Sequence, residues 1–361
     1  MRQAKCAWSK LSALLVIYFC GKEPDSNSAT PDSGTRIGEA PDCYTNVEMD
    51  CPWLSRIRRH RARVCAIVAL VATTTILSAQ VSNEPEVPAG EMVRAAVANE
   101  LVAANNTAIK FLFRSRKQTP KGVQNRIYVE ANEALASALY GMNDKTLTPQ
   151  QQRVEIDHLN WLTSDRDQLR RKQAREKEDE ERTLRIVRAL PDAFLYEYAG
   201  TENGETGVGK VGDELVRLKY SPNPSYSPPS RLEQVLTGME GYLLIDKVAR
   251  RIARIDGTLF KDVTFGWGIF VRLDKGGSFR VQQGDSGEGN WVITQMTLKM
   301  AGKILLFKSL NLNSDEVFSD FRRLPEDLPF AQAVEILRTE QEKLAQNFVP
   351  PRSADSKTTP Q

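Results

Sequence analysis

The chain has 361 residues, of which 41% are hydrophobic and 26% are charged, as in ordinary globular proteins. This composition excludes wholesale disorder, a collagen-like repeat and a polytopic membrane protein. The formal net charge is +3, but residues 81–361 hold 39 basic and 39 acidic side chains and carry no net charge. A nucleic-acid-binding face needs a surplus of positive charge, so we expect no nucleic-acid partner.

The cysteine and histidine content excludes several kinds of chemistry. All five cysteines precede residue 66, and His60 and His158 are the only histidines. Residues 66–361 therefore hold no disulfide framework, no thiolate zinc site and no cysteine nucleophile. His158 has no second histidine at helical spacing, so a HExxH zinc helix is absent. We expect no metal, no cofactor, no catalytic residue and no enzymatic activity.

Residues 49–80 have the pattern of a signal peptide. Five arginines between Arg56 and Arg63 precede an apolar stretch, 64–77, and Ser78-Ala79-Gln80 supplies small residues for cleavage. Fourteen helical residues reach about 21 Å, short of a hydrocarbon core of ~30 Å, so cleavage is favoured over an uncleaved anchor. Met49 precedes this leader directly, which makes residues 1–48 a start-site artefact or a disordered segment. The pattern predicts export to the periplasm or beyond.

Residues 91–348 form the predicted domain, after a linker at 81–90. An amphipathic helix at 91–105 is followed by strands at 109–117, 123–131 and 133–140, the second with clean alternation. A helical insertion covers about 148–190. Its first helix has Thr148 at the N-cap, Pro149 at N1 and Gln151 at N3, and Ser164 is the expected cap of the second helix.

The second helix of the insertion, 165–190, has an unusual middle. Between 170 and 183 the only apolar residue is Ala174, so no face of this stretch joins a core. Glu and Lys or Arg at i, i+4 spacing support such a helix in water. We interpret it as a solvated surface helix whose removal costs little stability; the alternative is a partner-docking or nucleic-acid role, of which the acidic residues 178–181 disfavour the second.

Strands and turns dominate the rest of the chain. The predicted strands are 194–199, 214–220, 242–246, 251–259, 263–273, 279–283, 291–300 and 304–313. Short turns separate them, including MAGK at 300–303, which favours antiparallel neighbours. A proline-rich loop at 221–230, a closing helix at 328–346 and a disordered tail at 349–361 complete the assignment. The fold class is α+β, with a curved antiparallel sheet or incomplete β-barrel packed on helices.

One glycine-rich segment imitates nucleotide-binding motifs. Residues 207–212 match GxGxxG, and Gly204, Gly209 and Lys210 nearly complete a P-loop. Both motifs need a helix after the glycines, whereas a strand pattern follows here, and Val211 replaces the Ser or Thr that would hold magnesium. We interpret the segment as a flexible hairpin loop.

The stretch 263–273, VTFGWGIFVRL, is the most informative. If it is one strand, its alternate residues from Val263 to Val271 place a continuous apolar row on one side, with Gly266 and Gly268 on the other. Strands 291–300 and 304–312 have similar rows. The predicted ligand-binding residues on the concave side of this sheet are Phe265, Trp267, Ile269, Met296, Leu298 and Leu306. A fully packed core is the alternative role for these residues.

The same region carries a family resemblance. FGWGIFVRLDKGGSF at 265–279, LLFK at 305–308 and SDFRRLP at 319–325 resemble an uncharacterised family of secreted β-rich bacterial proteins. That family is in turn similar, in its order of elements, to the periplasmic lipoprotein-carrier (LolA/LolB-like) superfamily. The resemblance covers about residues 90–340. It implies an incomplete antiparallel barrel around helices, with an apolar concavity for acyl chains.

Three functions are consistent with these patterns. The first is an exported, non-enzymatic protein of the bacterial envelope that binds lipid or lipidated protein in an apolar concavity. The second is an envelope protein–protein interaction module with a fully packed core. The third is a hydrolase that uses carboxylates, for which no motif is present.

Overall fold

The computed structural model describes residues 87–106, 108–265, 271–287, 289–304 and 308–346, all of which belong to one compact unit. The predicted segments 1–48 and 49–80 and the tail 349–361 lie outside the described residues. Within the described ranges the helices are α1 (Ala89–Asn105), α2 (Pro149–Ser164), α3 (Arg166–Ala193), α4 (Arg231–Gln234) and α5 (Phe330–Gln346). A 3-10 turn, Val235–Gly238, follows α4.

Thirteen strands of the described ranges form one sheet. They are β1 (Lys110–Thr119), β2 (Gly122–Glu130), β3 (Leu135–Met142), β4 (Lys145–Thr146), β5 (Phe194–Asn203), β6 (Glu214–Pro222), β7 (Met239–Asp246), β8 (Ile252–Leu259), β9 (Val263–Phe265), β10 (Val271–Leu273), β11 (Ser278–Asp285), β12 (Trp291–Ile304) and β13 (Lys308–Leu324). The strand order is β4-β3-β2-β1-β13-β12-β11-β8-β7-β6-β5, with β10 paired to β12 and β9 paired to β10. Every pairing between these strands is antiparallel, and the sheet is not closed. The predicted α+β class, an antiparallel sheet packed on helices, is confirmed.

The helix starts follow the sequence with one correction. Thr148 and Gln151 form the predicted capping box at α2: Thr148 Oγ1 accepts from the Gln151 N–H, and Gln151 Oε1 accepts from the Thr148 N–H. The predicted cap of the next helix, Ser164, is wrong because Ser164 is the last residue of α2. Asp165 caps α3 instead, accepting from the N–H groups of Asp167 and Gln168.

Three strand predictions near the end of the sheet are also corrected. The segment 263–273 is not one strand, since Phe265 pairs with Val271 across the antiparallel strands β9 and β10. The MAGK turn is wrong as well, because β12 continues through Gly302 to Ile304. A side chain at 302 would collide with the carbonyl oxygen of Arg272 on β10. Glycine at this position therefore allows β12 and β10 to approach each other closely. Finally, β13 runs to Leu324, well past the predicted end at 313.

The two faces of the sheet carry different side chains. One face of the sheet packs against α1, and we call it the α1 face. Its apolar cluster includes Val93 and Val97 of α1 and Val187 and Leu190 of α3, together with residues from most strands. On the opposite face, a second apolar cluster joins β1, β2 and β3 to α2 and α5.

Much of the remaining opposite face is polar. One register of residues crosses eight strands in the order Glu197, Lys219, Tyr242, Asp256, Arg280, Thr297, Asp315 and Gln118. This is the consequence of period-two alternation in strands with one face buried.

The glycine-rich loop between β5 and β6 packs against this opposite face. The N–H of Gly209 donates to the carbonyl of Gln283 at 2.8 Å, and Thr294 Oγ1 donates to the carbonyl of Gly207 at 2.6 Å. Val208 joins a small apolar cluster with Leu215, Leu244, Ala253 and Trp291. The loop is thus a hairpin connection held to the sheet, and strand β6 follows it where a nucleotide motif requires a helix.

Side chains from three helices occupy the free edge of β3. Strand β4 covers only Gly141 and Met142 of this edge. Further along it, the N–H of Leu139 donates to Glu155 Oε2 of α2 at 2.8 Å, and the N–H of Leu135 donates to Glu176 Oε2 of α3 at 3.0 Å. Gln341 Nε2 of α5 donates to the carbonyl of Leu139 at 2.7 Å. These side chains satisfy backbone groups that would otherwise be open to another strand.

Candidate functional site

The candidate site is a line of residues that crosses the α1 face. In register from β5 to β1, it contains Tyr198, Leu218, Leu243, Ile255, Val281, Met296, Glu316 and Lys117. We call this line the cross-sheet row. The five positions from Leu218 to Met296 are all buried and all apolar. Neighbouring strands lie ~4.8 Å apart, so these five residues form an apolar strip about 19 Å long.

At its β1 end, the row changes from apolar to charged residues. Glu316 is only 4% exposed, yet it lies beside Met296 on the apolar side of the sheet. Lys117 Nζ lies 3.8 Å from Glu316 Oε2, which makes an ion pair at longer range than a direct hydrogen bond. Ser115, two residues before Lys117 and therefore on the same face, is 1% exposed. An amphiphilic arrangement results, with an apolar strip ending at an ammonium, a carboxylate and a hydroxyl.

A neighbouring register shows how the strip is shaped. Tyr220, Gly241, Gly257, Phe279 and Leu298 lie side by side across five strands. Gly257 leaves space that the Tyr220 hydroxyl and the Phe279 ring enter, since a Cβ at 257 would lie 2.6 Å from Phe279 Cε1, whereas a Cβ at Gly241 would collide with the carbonyl oxygen of Asp256. The Tyr220 hydroxyl donates to the carbonyl of Asp256 at 3.0 Å. Burial raises the pKa of Tyr220 well above its ordinary value, so this hydroxyl remains a neutral donor.

A buried ion pair fixes α1 on the sheet. Glu100 of α1 and Arg251 are each 8% exposed, and Arg251 donates to both carboxylate oxygens at 2.8 and 3.0 Å. Glu100 also accepts from the N–H of Ile252 at 3.0 Å, while the Arg251 guanidinium lies 5.5 Å from the ring centroid of Trp291. Bidentate pairing of this kind has a defined geometry, so it positions the helix that covers the apolar strip.

The predicted ligand-binding residues are only partly described. Met296 and Leu298 are alternate residues of β12 on the α1 face, 6% and 2% exposed, and Met296 belongs to the cross-sheet row. Phe265 joins the same apolar cluster but lies in register with Val271 and Ile304, eight residues further along β12 than Met296. Trp267, Ile269 and Leu306 lie outside the described residues. The assignment of the six residues to a ligand site stays a prediction.

The polar end of the row was missed from the sequence. A signal was present, because Phe111, Phe113, Ser115 and Lys117 alternate on one face of β1 and the last two are polar. Likewise, Glu316 and Phe318 share a face of β13. What the sequence does not contain is the pairing that places Lys117 beside Glu316.

The described ranges contain neither a metal-binding cluster nor a membrane-spanning helix. No cluster of three or more His, Cys, Asp or Glu side chains there has the arrangement of a metal site. No helix in the same ranges has the length and apolar character needed to cross a bilayer.

Comparisons with known proteins cover family models, curated proteins and solved structures. No family model matches the chain, and no curated protein matches it. Among solved structures, a DUF1329 family protein from Desulfovibrio piger is similar, at 10% sequence identity and a TM-score of 0.22. The match covers 65% of this chain and 92% of that chain. None of the three comparisons supports the resemblance to the lipoprotein-carrier superfamily.

Proposed function

We propose that this chain is an exported, non-enzymatic protein of the bacterial envelope that binds the acyl chain of a lipid or lipidated protein. The α1 face is the binding surface, forming an apolar concavity in an incomplete barrel. The observation that carries the proposal is the cross-sheet row, in which an apolar strip of about 19 Å ends at charged groups. That pattern matches an extended hydrocarbon chain with a polar head.

Two features of the described residues support this proposal. Met296 and Met300 lie on the α1 face of β12, and methionine adapts to flexible apolar partners. The polar register on the opposite face holds three acidic and two basic side chains and no positive surplus, which supports the expectation of no nucleic-acid partner. Export is proposed from the signal-peptide pattern at 49–80.

Filling the proposed concavity tests the function. Met296→Trp inserts a bulky ring at the centre of the strip, while Thr297→Trp places the same ring on the opposite face of the same strand. The probe is the methyl ester of parinaric acid, a fluorescent polyene with no charge. We expect the wild-type full chain and Thr297→Trp to bind the probe, and a folded Met296→Trp to bind it at least tenfold more weakly.

An interaction module with a packed core is the second candidate function. The observation that favours it is an exposed stripe on α2, where Val154 and Trp161 are 66% and 46% exposed and His158 lies between them. In that case the wild-type chain binds no probe. Met296→Trp would then overpack the core and lower the free energy of unfolding by about 1–3 kcal/mol. This outcome would overturn the acyl-binding proposal.

A further inference from the structure

The polar end of the cross-sheet row holds two donors with unused hydrogen-bonding capacity. Ser115 Oγ is buried, and no atom among the described residues pairs with it. Lys117 is 26% exposed, and within the same ranges its ammonium makes only the 3.8 Å ion pair with Glu316 and no hydrogen bond. A buried hydroxyl without a partner is costly, and an ammonium has three protons to donate. Both groups can therefore donate a hydrogen bond to an acceptor on a ligand.

The charge of this cluster limits the charge that the accepting group of a ligand can carry. Lys117 and Glu316 carry opposite charges, so the pair is neutral when both are ionised. Glu316 repels any anion that approaches the ammonium, and this repulsion is about twice as large for a doubly charged phosphate monoester, so a singly charged group competes better for Lys117. One carboxylate accepts from both an ammonium and a hydroxyl, which matches the two donors here.

We propose that Ser115 and Lys117 bind the carboxylate of a single-chain amphiphile, with its tail along the apolar strip from Met296 toward Leu218. This inference rests on the proposed function, because it specifies the class of ligand that the α1 face takes. Glu316 acts as the internal competitor: it holds Lys117 near the end of the strip until a ligand carboxylate replaces it. Free fatty acids are the ligand class with this chemistry.

The test compares two probes that differ only in the head group. Parinaric acid and its methyl ester have the same fluorescent tail, so the ratio of their affinities isolates the contribution of the carboxylate. We expect the full chain to bind the acid roughly tenfold more tightly than the ester, the size of one charge-assisted hydrogen bond. Lys117→Gln and Ser115→Ala weaken binding of the acid more than binding of the ester and so reduce this ratio, and Lys117→Arg retains most of it.

Two controls make the result specific. Lys121→Gln removes an exposed lysine from the β1–β2 turn of the same hairpin and leaves the ratio unchanged. Glu316→Gln removes the competitor and raises the affinity for the acid more than the affinity for the ester. An affinity ratio near one in the wild type, or a ratio unaltered by Lys117→Gln, overturns the carboxylate assignment while ester binding preserves the proposed function. Failure of both probes to bind overturns the proposed function and this inference together.

Discussion

At the scale of single residues, stability depends on a few positions where the packing admits only one side chain. Gly257 lies between the Tyr220 hydroxyl and the Phe279 ring, which occupy the space that a Cβ would need. Glycine weakens a strand unless something approaches its backbone closely, and here two aromatic side chains do so. The residue shapes the α1 face and therefore the proposed binding surface.

Substitution of Gly257 tests this packing. Gly257→Ala places a methyl group 2.6 Å from Phe279 Cε1, so we expect the free energy of unfolding to fall by about 1–3 kcal/mol. The control is Gly90→Ala in α1, where a Cβ meets nothing within 4 Å and the helix gains propensity. Urea denaturation of both variants gives the comparison. Equal stability of the two variants would contradict the proposed packing.

The Glu100–Arg251 pair gives a second residue-scale prediction. Both side chains are buried, and Glu100→Gln leaves the Arg251 guanidinium without a charged partner. Breaking a buried pair in this way costs about 3–5 kcal/mol. Glu214→Gln disrupts the exposed Glu214–Lys247 pair instead, and we expect a change within about 0.5 kcal/mol. Thermal and urea unfolding measure both changes, and a small effect of Glu100→Gln would show that the pair is not needed to hold α1.

At the scale of elements, the charged helix α3 has a structural role that its sequence pattern did not predict. Most of its central side chains face solvent, as expected, but Glu176 accepts from the N–H of Leu135 at the free edge of β3. Lys172 lies 2.7 Å from the other oxygen of Glu176 and orients it. The helix thus protects a sheet edge.

Removal of this edge contact is a testable change. Glu176→Ala leaves the Leu135 N–H without its acceptor, so we expect a loss of about 1–3 kcal/mol in unfolding free energy and more aggregation through the exposed edge. Glu181→Ala on the same helix removes only an exposed pair with Lys177 and should change stability by less than about 0.5 kcal/mol. Denaturant titration and light scattering report the two effects. An effect of Glu181→Ala as large as that of Glu176→Ala would refute the edge role.

Local sequence patterns predicted most elements. They failed where an element depends on pairing with strands that are distant in the sequence. The alternation in 123–131 and the capping box at Thr148 correspond to β2 and α2, because both depend on neighbours in sequence. Alternation continues on both sides of a strand reversal, so it did not separate β9 from β10. The polar residues that flank Val317 and Phe318 between Ser314 and Asp320 concealed the second half of β13, which is held by pairing with β1 and β12.

The site was predictable to a similar extent. The apolar character of Met296 and Leu298 on one face of β12 follows from their parity within one strand. Which strands lie next to β12 does not follow, since Met296 has Val281 on one side and Glu316 on the other through register alone. The charged end of the cross-sheet row is a property of the sheet order, which no local pattern contains.

At the scale of the whole molecule, α3 links the two apolar clusters. Leu169, near its start, packs against the cluster of α2 and α5 on the opposite face, whereas Val187 and Leu190, near its end, belong to the cluster on the α1 face. The polar middle is the stretch that passes from one face to the other. A continuous helix of 28 residues spans about 42 Å, so its length sets the separation of its two anchors.

Shortening α3 therefore differs from changing its charges. Deleting 170–183 removes about 21 Å of helix, so Leu169 and Val187 cannot both reach their clusters. The small loss of stability expected from the sequence is revised: we now expect the deletion to abolish a cooperative unfolding transition. The matched variant keeps the length but replaces the exposed pair Lys177 and Glu181 by alanines, and its unfolding free energy should stay within about 0.5 kcal/mol of wild type. Circular dichroism melting distinguishes the two, and a deletion variant that unfolds as the wild type does would show that α3 does not hold the two clusters in place.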